Sequence, residues 1–233
     1  MVSFRSDMAK KIIRIVLAIS LLWLVQRARA FDTNVFLNGW FAAQTKLHTL
    51  TADFVQTRTL KTLTVPLTAR GRLYFAAPGS FRWELGQPAR TIALGQKDEM
   101  YVIYPMLKRA EHYALGEKAP KDWRDAMALL QAGFPHSRAE FEGQFQILAL
   151  AETNGVCQMS LQPRSSFARQ MMPELRLAVA TNDFSLRTTE LVIVDGSNLR
   201  NDFSNIVMNP PLGEDVFHWQ PPADFKVTEP FAK

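Results

Sequence analysis

The chain has 233 residues, of which 47% are hydrophobic, with 27 Lys and Arg against 22 Asp and Glu, and one cysteine. The surplus of positive charge sits in the first thirty residues; the remainder carries 21 basic and 21 acidic side chains, so it lacks the electrostatic footprint of nucleic-acid binding. A lone Cys157 excludes an intramolecular disulfide, and its strand-like surroundings suit a small buried apolar residue.

Residues 1–30 read as a secretory signal: basic Arg5, Lys10, Lys11 and Arg14, an apolar run over 15–25, and Ala28, Arg29 and Ala30 as a cleavage site. That run is too short for a membrane span, which needs about 20 apolar residues. The exported protein is therefore expected to begin at Phe31 and to form one domain over 31–233. Asp32 and Thr33 can cap a first helix running to about Leu47, with Phe36, Trp40, Ala43 and Leu47 on one face.

Short strand-like runs follow over 50–60, 68–76, 80–85, 90–94, 100–104 and 108–115, separated by turn signals and close enough to require antiparallel connections. The centre of this half is the pair 70–76 and 80–85, joined at Pro78-Gly79, which sets a turn by fixing φ at one position and freeing it at the next. Alternation puts Leu73 and Phe75 on one face of the first arm and Phe81, Trp83 and Leu85 on one face of the second. Arg82 and Glu84 point the other way and read as a solvated pair. Residues 120–133 predict a second helix, with Asp122 as cap, Gly133 as stop, and Trp123, Met127, Leu130 and then Phe134 along one side.

Strands resume over 144–151, 156–162, 174–180, 186–195 and 199–207, with an Asp195-Gly196 hairpin turn between the last two. About eleven strands and two helices result, a mainly β (α+β) fold. A sheet this large must curl into a barrel, or into a half barrel that the helices close as a lid.

The four histidines lie at no metal-ligand spacing, and nucleophile-elbow, phosphate-loop and dinucleotide motifs are missing, so neither an enzyme nor a cofactor is expected. Glu140 and Glu142, either side of Phe141, read as a solvated edge. The sixteen phenylalanines, five tryptophans and nine methionines stand out instead, and Met171-Met172 places two adaptable thioethers at a strand entrance as a greasy lip.

Leu50-x-x-x-Phe54-x-Gln56, Gly71-x-Leu73, and Pro78-Gly79-x-Phe81-Arg82-Trp83-Glu84 with Pro88 together resemble the LolA family of periplasmic lipoprotein carriers. Leu161-x-Pro163, residues 190–193, Phe203-Ser204-Asn205 with Pro210-Pro211, and Val216-Phe217-x-Trp219-x-Pro221-Pro222 resemble that family's second half, so the likeness covers 35–228 in order. The resemblance implies an unclosed antiparallel β-barrel with a hydrophobic cavity for acyl chains, lined by Phe54, Leu73, Phe75, Phe81, Trp83, Leu85, Met100 and Val102. Phe36, Trp40, Trp123, Met127, Leu130 and Phe134 would form its lid, and Met171 and Met172 its lip. It further implies a periplasmic monomer that takes acylated lipoproteins or other lipids from an inner-membrane donor transporter and gives them to an outer-membrane acceptor. Many members carry an arginine before the hairpin proline, tying barrel to lid; here that position is Ala77, so apolar contact is expected to hold the lid. A carrier of another lipid or glycolipid, and a lipoprotein-sensing interaction domain, are the alternatives.

Overall fold

The computed structural model describes residues 31–230 apart from 97, 117–118, 122–123, 126 and 128–131. Thr33–Lys233 forms a unit of its own. It runs α1 (Thr33–Gln44), β1 (Thr49–Thr59), β2 (Leu67–Ala76), β3 (Ser80–Leu85), β4 (Thr91–Gln96), β5 (Glu99–Tyr104), β6 (Arg109–Ala114), α2 (Arg138–Gln144), β7 (Phe145–Thr153), β8 (Val156–Pro163), α3 (Ser166–Met171), β9 (Glu174–Ala180), β10 (Leu186–Val192), β11 (Asn198–Met208) and β12 (Lys226–Thr228). All twelve strands form one sheet in the order β12-β6-β5-β4-β3-β2-β1-β11-β10-β9-β8-β7. Every neighbouring pair is antiparallel except β12 with β6. Because β12 and β7 end the sheet without pairing to each other, the barrel is unclosed, as the resemblance implied.

Register fixes which side chains share the inner face. One rung runs Leu50, Phe75, Phe81, Gly95, Met100 and Tyr113; the next runs Ala52, Leu73, Trp83, Ala93, Val102 and Glu111. Along β8 and β9 this face is fully covered, with Cys157, Met159, Leu161, Leu175, Leu177 and Val179 all buried. At the β7 edge, Trp40 of α1 is 0% exposed and packs edge-on against Phe141 of α2 at 5.4 Å, while Phe141 lies 5.4 Å from Phe145 of β7. Burial pushes the Cys157 thiol up to about 12, which suits its expected role as packing.

A second cluster lies on the outer face, where Ile92, Leu94, Ile103 and Ala110 pack under Trp219 and Phe225 of the C-terminal segment. Strands β4 and β5 are thus apolar on both sides. The same segment corrects the reading of Arg82 and Glu84: they form a 2.6 Å ion pair with each side chain only 23% exposed, and Arg82 also donates to the Val216 carbonyl at 3.3 Å. The pair is tied beneath a short 3-10 turn, Glu214–Phe217, and is not freely solvated.

Two helices went unforeseen. α2 is capped by Ser137, whose hydroxyl accepts from the Glu140 amide at 3.1 Å, and buries one apolar side chain, Phe141. α3 is capped the same way by Ser165 and buries Ala168. With a single buried residue each, neither has a periodic stripe to betray it. Glu140 and Glu142 remain exposed, but on a helix. The expected helix over 120–133 falls partly outside the described residues; 121, 124, 125 and 127 are helical, and 132–133 form a turn.

Candidate functional site

The inner face of β2 to β6 differs from that of β8 and β9 in being half open. Phe75, Phe81, Trp83, Leu85 and Val102 are each partly exposed there, whereas Phe54, Leu73 and Met100 are buried. Register therefore brings all eight expected cavity residues to one face. Phe54, Trp83 and Phe203 form its centre, with ring centroids 4.3 Å apart for Phe54 and Trp83 and 6.0 Å for Trp83 and Phe203, the latter edge-on. Two glycines make the floor possible: the Phe54 ring rests over Gly71, and the Phe81 ring over Gly95, where added Cβ atoms would collide with them.

Polar groups bound this apolar floor. On one side the Arg109 guanidinium lies over the Tyr104 ring at 4.7 Å, and Glu111 accepts from Arg109 at 3.2 Å and from the Tyr113 hydroxyl at 2.8 Å. Burial first, then the bond to Glu111, pushes the Tyr113 phenol up to about 12. On the other side, buried Gln56 donates to Asn201 Oδ1 at 3.0 Å, and Asn201 donates to Thr189 Oγ1 at 3.1 Å. Gln56 stood in the sequence motif without a role; β6 was expected as a strand, but no site role could be read for its Arg109, Glu111 and Tyr113, since its alternation sets charged residues against Ala110 and His112.

The segment 132–136 straps the far end of the floor. A Cβ on Gly133 would meet Leu186 of β10, the Phe134 ring stacks on Phe75 at 5.3 Å, and His136 Nε2 donates to the Pro78 carbonyl at 2.6 Å. Of the expected lid residues, Phe134 thus touches an expected floor residue, and Met127 is partly buried on a helical stretch. Trp123 and Leu130 lie outside the described residues. Phe36 and Trp40 are buried on α1, where Trp40 packs against Phe141 of α2 at 5.4 Å and Phe36 meets Phe184 at 5.8 Å.

Two polar ties stand beside the apolar contact that was expected to be the main hold on the lid. At one end His136 approaches the hairpin beside Ala77. At the other, Asp125 accepts from Ser165 at 2.5 Å and from Lys121 at 2.7 Å. Burial pushes the Asp125 carboxyl up, but those hydrogen bonds outweigh it and hold its pKa below the ordinary value. A cleft of about 320 Å³ opens beside this tie, yet Lys121, Asp125, Gln144 and Arg164 line it, so it suits polar contents. Met171 is 52% exposed and Met172 caps α3; both stand at the end of the sheet, with four strands between β9 and β3.

The chain is similar to two curated proteins, both described as outer-membrane lipoprotein carrier proteins. One, from Dechloromonas aromatica, is 24% identical over 75% of this chain and 78% of its own length. The other, from Bordetella avium, is 22% identical over 79% and 82%. Among solved structures, an uncharacterized conserved protein from Thermus thermophilus matches 83% of this chain and 98% of its own with a TM-score of 0.49 and 11% identity. A family model described as outer membrane lipoprotein carrier protein LolA matches residues 45–220, well over half of the chain, and the chain belongs to that family of non-enzymatic carriers.

Proposed function

We propose that this protein is a periplasmic carrier that shields the acyl chains of lipoproteins on the floor of β2 to β6 while they pass from an inner-membrane donor to an outer-membrane acceptor. The observation carrying this reading is the half-open aromatic floor facing a strap whose Phe134 fills part of it. Exposing one chain of roughly 14 carbons to water costs on the order of 10 kcal/mol at about 0.8 kcal/mol per CH₂, so unassisted crossing is very slow and a carrier needs only to offer a dry surface. Residues 1–30 serve as the export signal. The protein recovered from the periplasm is expected to have an intact mass that begins at Phe31 and to copurify with diacyl or triacyl lipopeptides by mass spectrometry. A species retaining residues 1–30 in the membrane fraction would refute the processing, and recovery of a glycolipid or of no lipid would refute the cargo.

Loading requires Phe134 to leave the floor. Burial of the Phe134 ring holds such a lid by roughly 1.5–3 kcal/mol, and the ties at Asp125 and His136 add about 1 kcal/mol each. Closure of that size is reversible. Amides over 121–136 should therefore exchange faster than those of β8 and β9, slow when a lipopeptide is bound, and exchange faster still in His136→Ala. Equal protection of strap and sheet in both states would show that Phe134 is fixed packing.

A further inference from the structure

We propose that the end of the sheet bearing the β1–β2, β5–β6 and β10–β11 connections docks on an anionic phospholipid surface, a property independent of what the floor carries. Antiparallel order gathers those connections, with the β3–β4 turn and α3, at one end. Two contacts join neighbouring parts of this rim: the Lys61 amide donates to Ser197 Oγ at 3.1 Å, and the Val194 amide donates to the Met171 carbonyl at 3.1 Å.

What the rim presents is unusual for connecting loops. Leu63 and Val65 of the β1–β2 connection, Met106 and Leu107 of the β5–β6 turn, Met171 of α3 and Val194 of the β10–β11 turn are all exposed, with Met106 at 76% and Val65 at 71%. An isolated exposed apolar residue needs no explanation, but their recurrence in successive loops of one end marks an interaction surface. Exposed cations stand among them: Lys61, Arg90, Arg164 and Arg169, together with Lys108, which pairs with Asp224 at 2.7 Å. Acids also stand at this end: Asp195 in the β10–β11 turn, Asp224 before β12, and, beside Ser165 and Arg164, Asp125 and Glu142. The opposite end presents Asp98, Glu152 and Asp183 with Lys46 and Arg187, the last paired with Asp183 at 3.5 Å.

Apolar tips with cations between them are the pattern of proteins that lie in the interface of an acidic membrane, where the tips enter the headgroup boundary and the cations meet anionic lipid. A groove for a helix or peptide would instead be concave and continuous. These side chains stand on separate loops around a rim.

The test is flotation of the chain starting at Phe31, which contains the compact unit Thr33–Lys233, with vesicles of phosphatidylethanolamine and phosphatidylglycerol or of phosphatidylcholine alone. Binding is expected to the anionic vesicles, at least tenfold weaker to the neutral ones. It should fall tenfold or more in Met106→Glu with Leu107→Glu, and equally in Val65→Glu. Lys61→Glu with Arg90→Glu should abolish the salt dependence, while Val207→Glu, exposed near the opposite end of β11, should change nothing. Failure of the wild type to bind anionic vesicles, wild-type binding by the rim variants, or an equal loss in Val207→Glu would each overturn the proposal. Retention only by vesicles that contain a membrane protein would assign the rim to a protein partner and overturn it as well.

Discussion

Gly71→Ala is expected to destabilise the protein by about 3 kcal/mol, and Gly71→Val to prevent folding. A Cβ at this position would stand 2.1 Å from Phe54 Cζ and 2.4 Å from the Glu84 carbonyl oxygen. The Phe54 ring is wedged between β2 and Trp83 and is 2% exposed, so it has little room to retreat. The carbonyl belongs to the backbone of β3, and moving it opens the β2–β3 ladder. Alanine in a strand gains roughly 0.5–1 kcal/mol over glycine from the unfolded chain, too little to offset such a clash. For a domain of this size 3 kcal/mol lowers Tm by roughly 6–12 °C. Gly143 in α2 is the contrasting site: nothing lies within 4 Å of its added Cβ, so Gly143→Ala should raise stability by up to about 1 kcal/mol. Thermal unfolding of both variants checks this, and a Gly71→Ala protein as stable as the wild type would show that the inner face is looser than its packing indicates.

Much of this architecture could be read in advance because alternation in a strand is binary. Once the hairpin at Pro78-Gly79 fixed the register of β2 and β3, the shared face of Leu73, Phe75, Phe81, Trp83 and Leu85 followed. Phe54, Met100 and Val102 join them through pairing with β2 and β4, which order in the chain already suggested. Three kinds of feature stayed hidden for physical reasons. The extent of burial was one: Trp40 and Phe81 look alike in sequence, yet one is sealed under α2 and the other half open, since that depends on where distant segments come to rest. Contacts from non-periodic segments were another, as with His136 reaching Pro78 and the C-terminal segment covering Arg82 and Glu84. The twelfth strand, three residues long and parallel to β6, is too short to carry any pattern.

Phe81→Glu is expected to remove lipopeptide uptake by tenfold or more while leaving the sheet folded. The ring lies on the half-open floor beside Phe75 and over Gly95, so its loss leaves a hollow that lipid or water can enter; the expected destabilisation is about 2–3 kcal/mol, within what a domain of this size tolerates. A carboxylate there faces the path of an acyl chain. While the floor is empty it remains hydrated through the open side. Loading must strip that water away or protonate the group, and either outcome opposes binding by several kcal/mol. Because protonation relieves the penalty, uptake by Phe81→Glu should recover in part as the pH falls toward the carboxylate range, whereas wild-type uptake should not show that rise. Phe81→Leu keeps an apolar surface and should retain most of the uptake, which separates loss of the ring from introduction of charge. The measurement is fluorescence of a labelled triacyl peptide titrated with each variant, with circular dichroism confirming the sheet. Wild-type uptake by a folded Phe81→Glu protein would place the acyl chains somewhere other than the floor of β2 to β6.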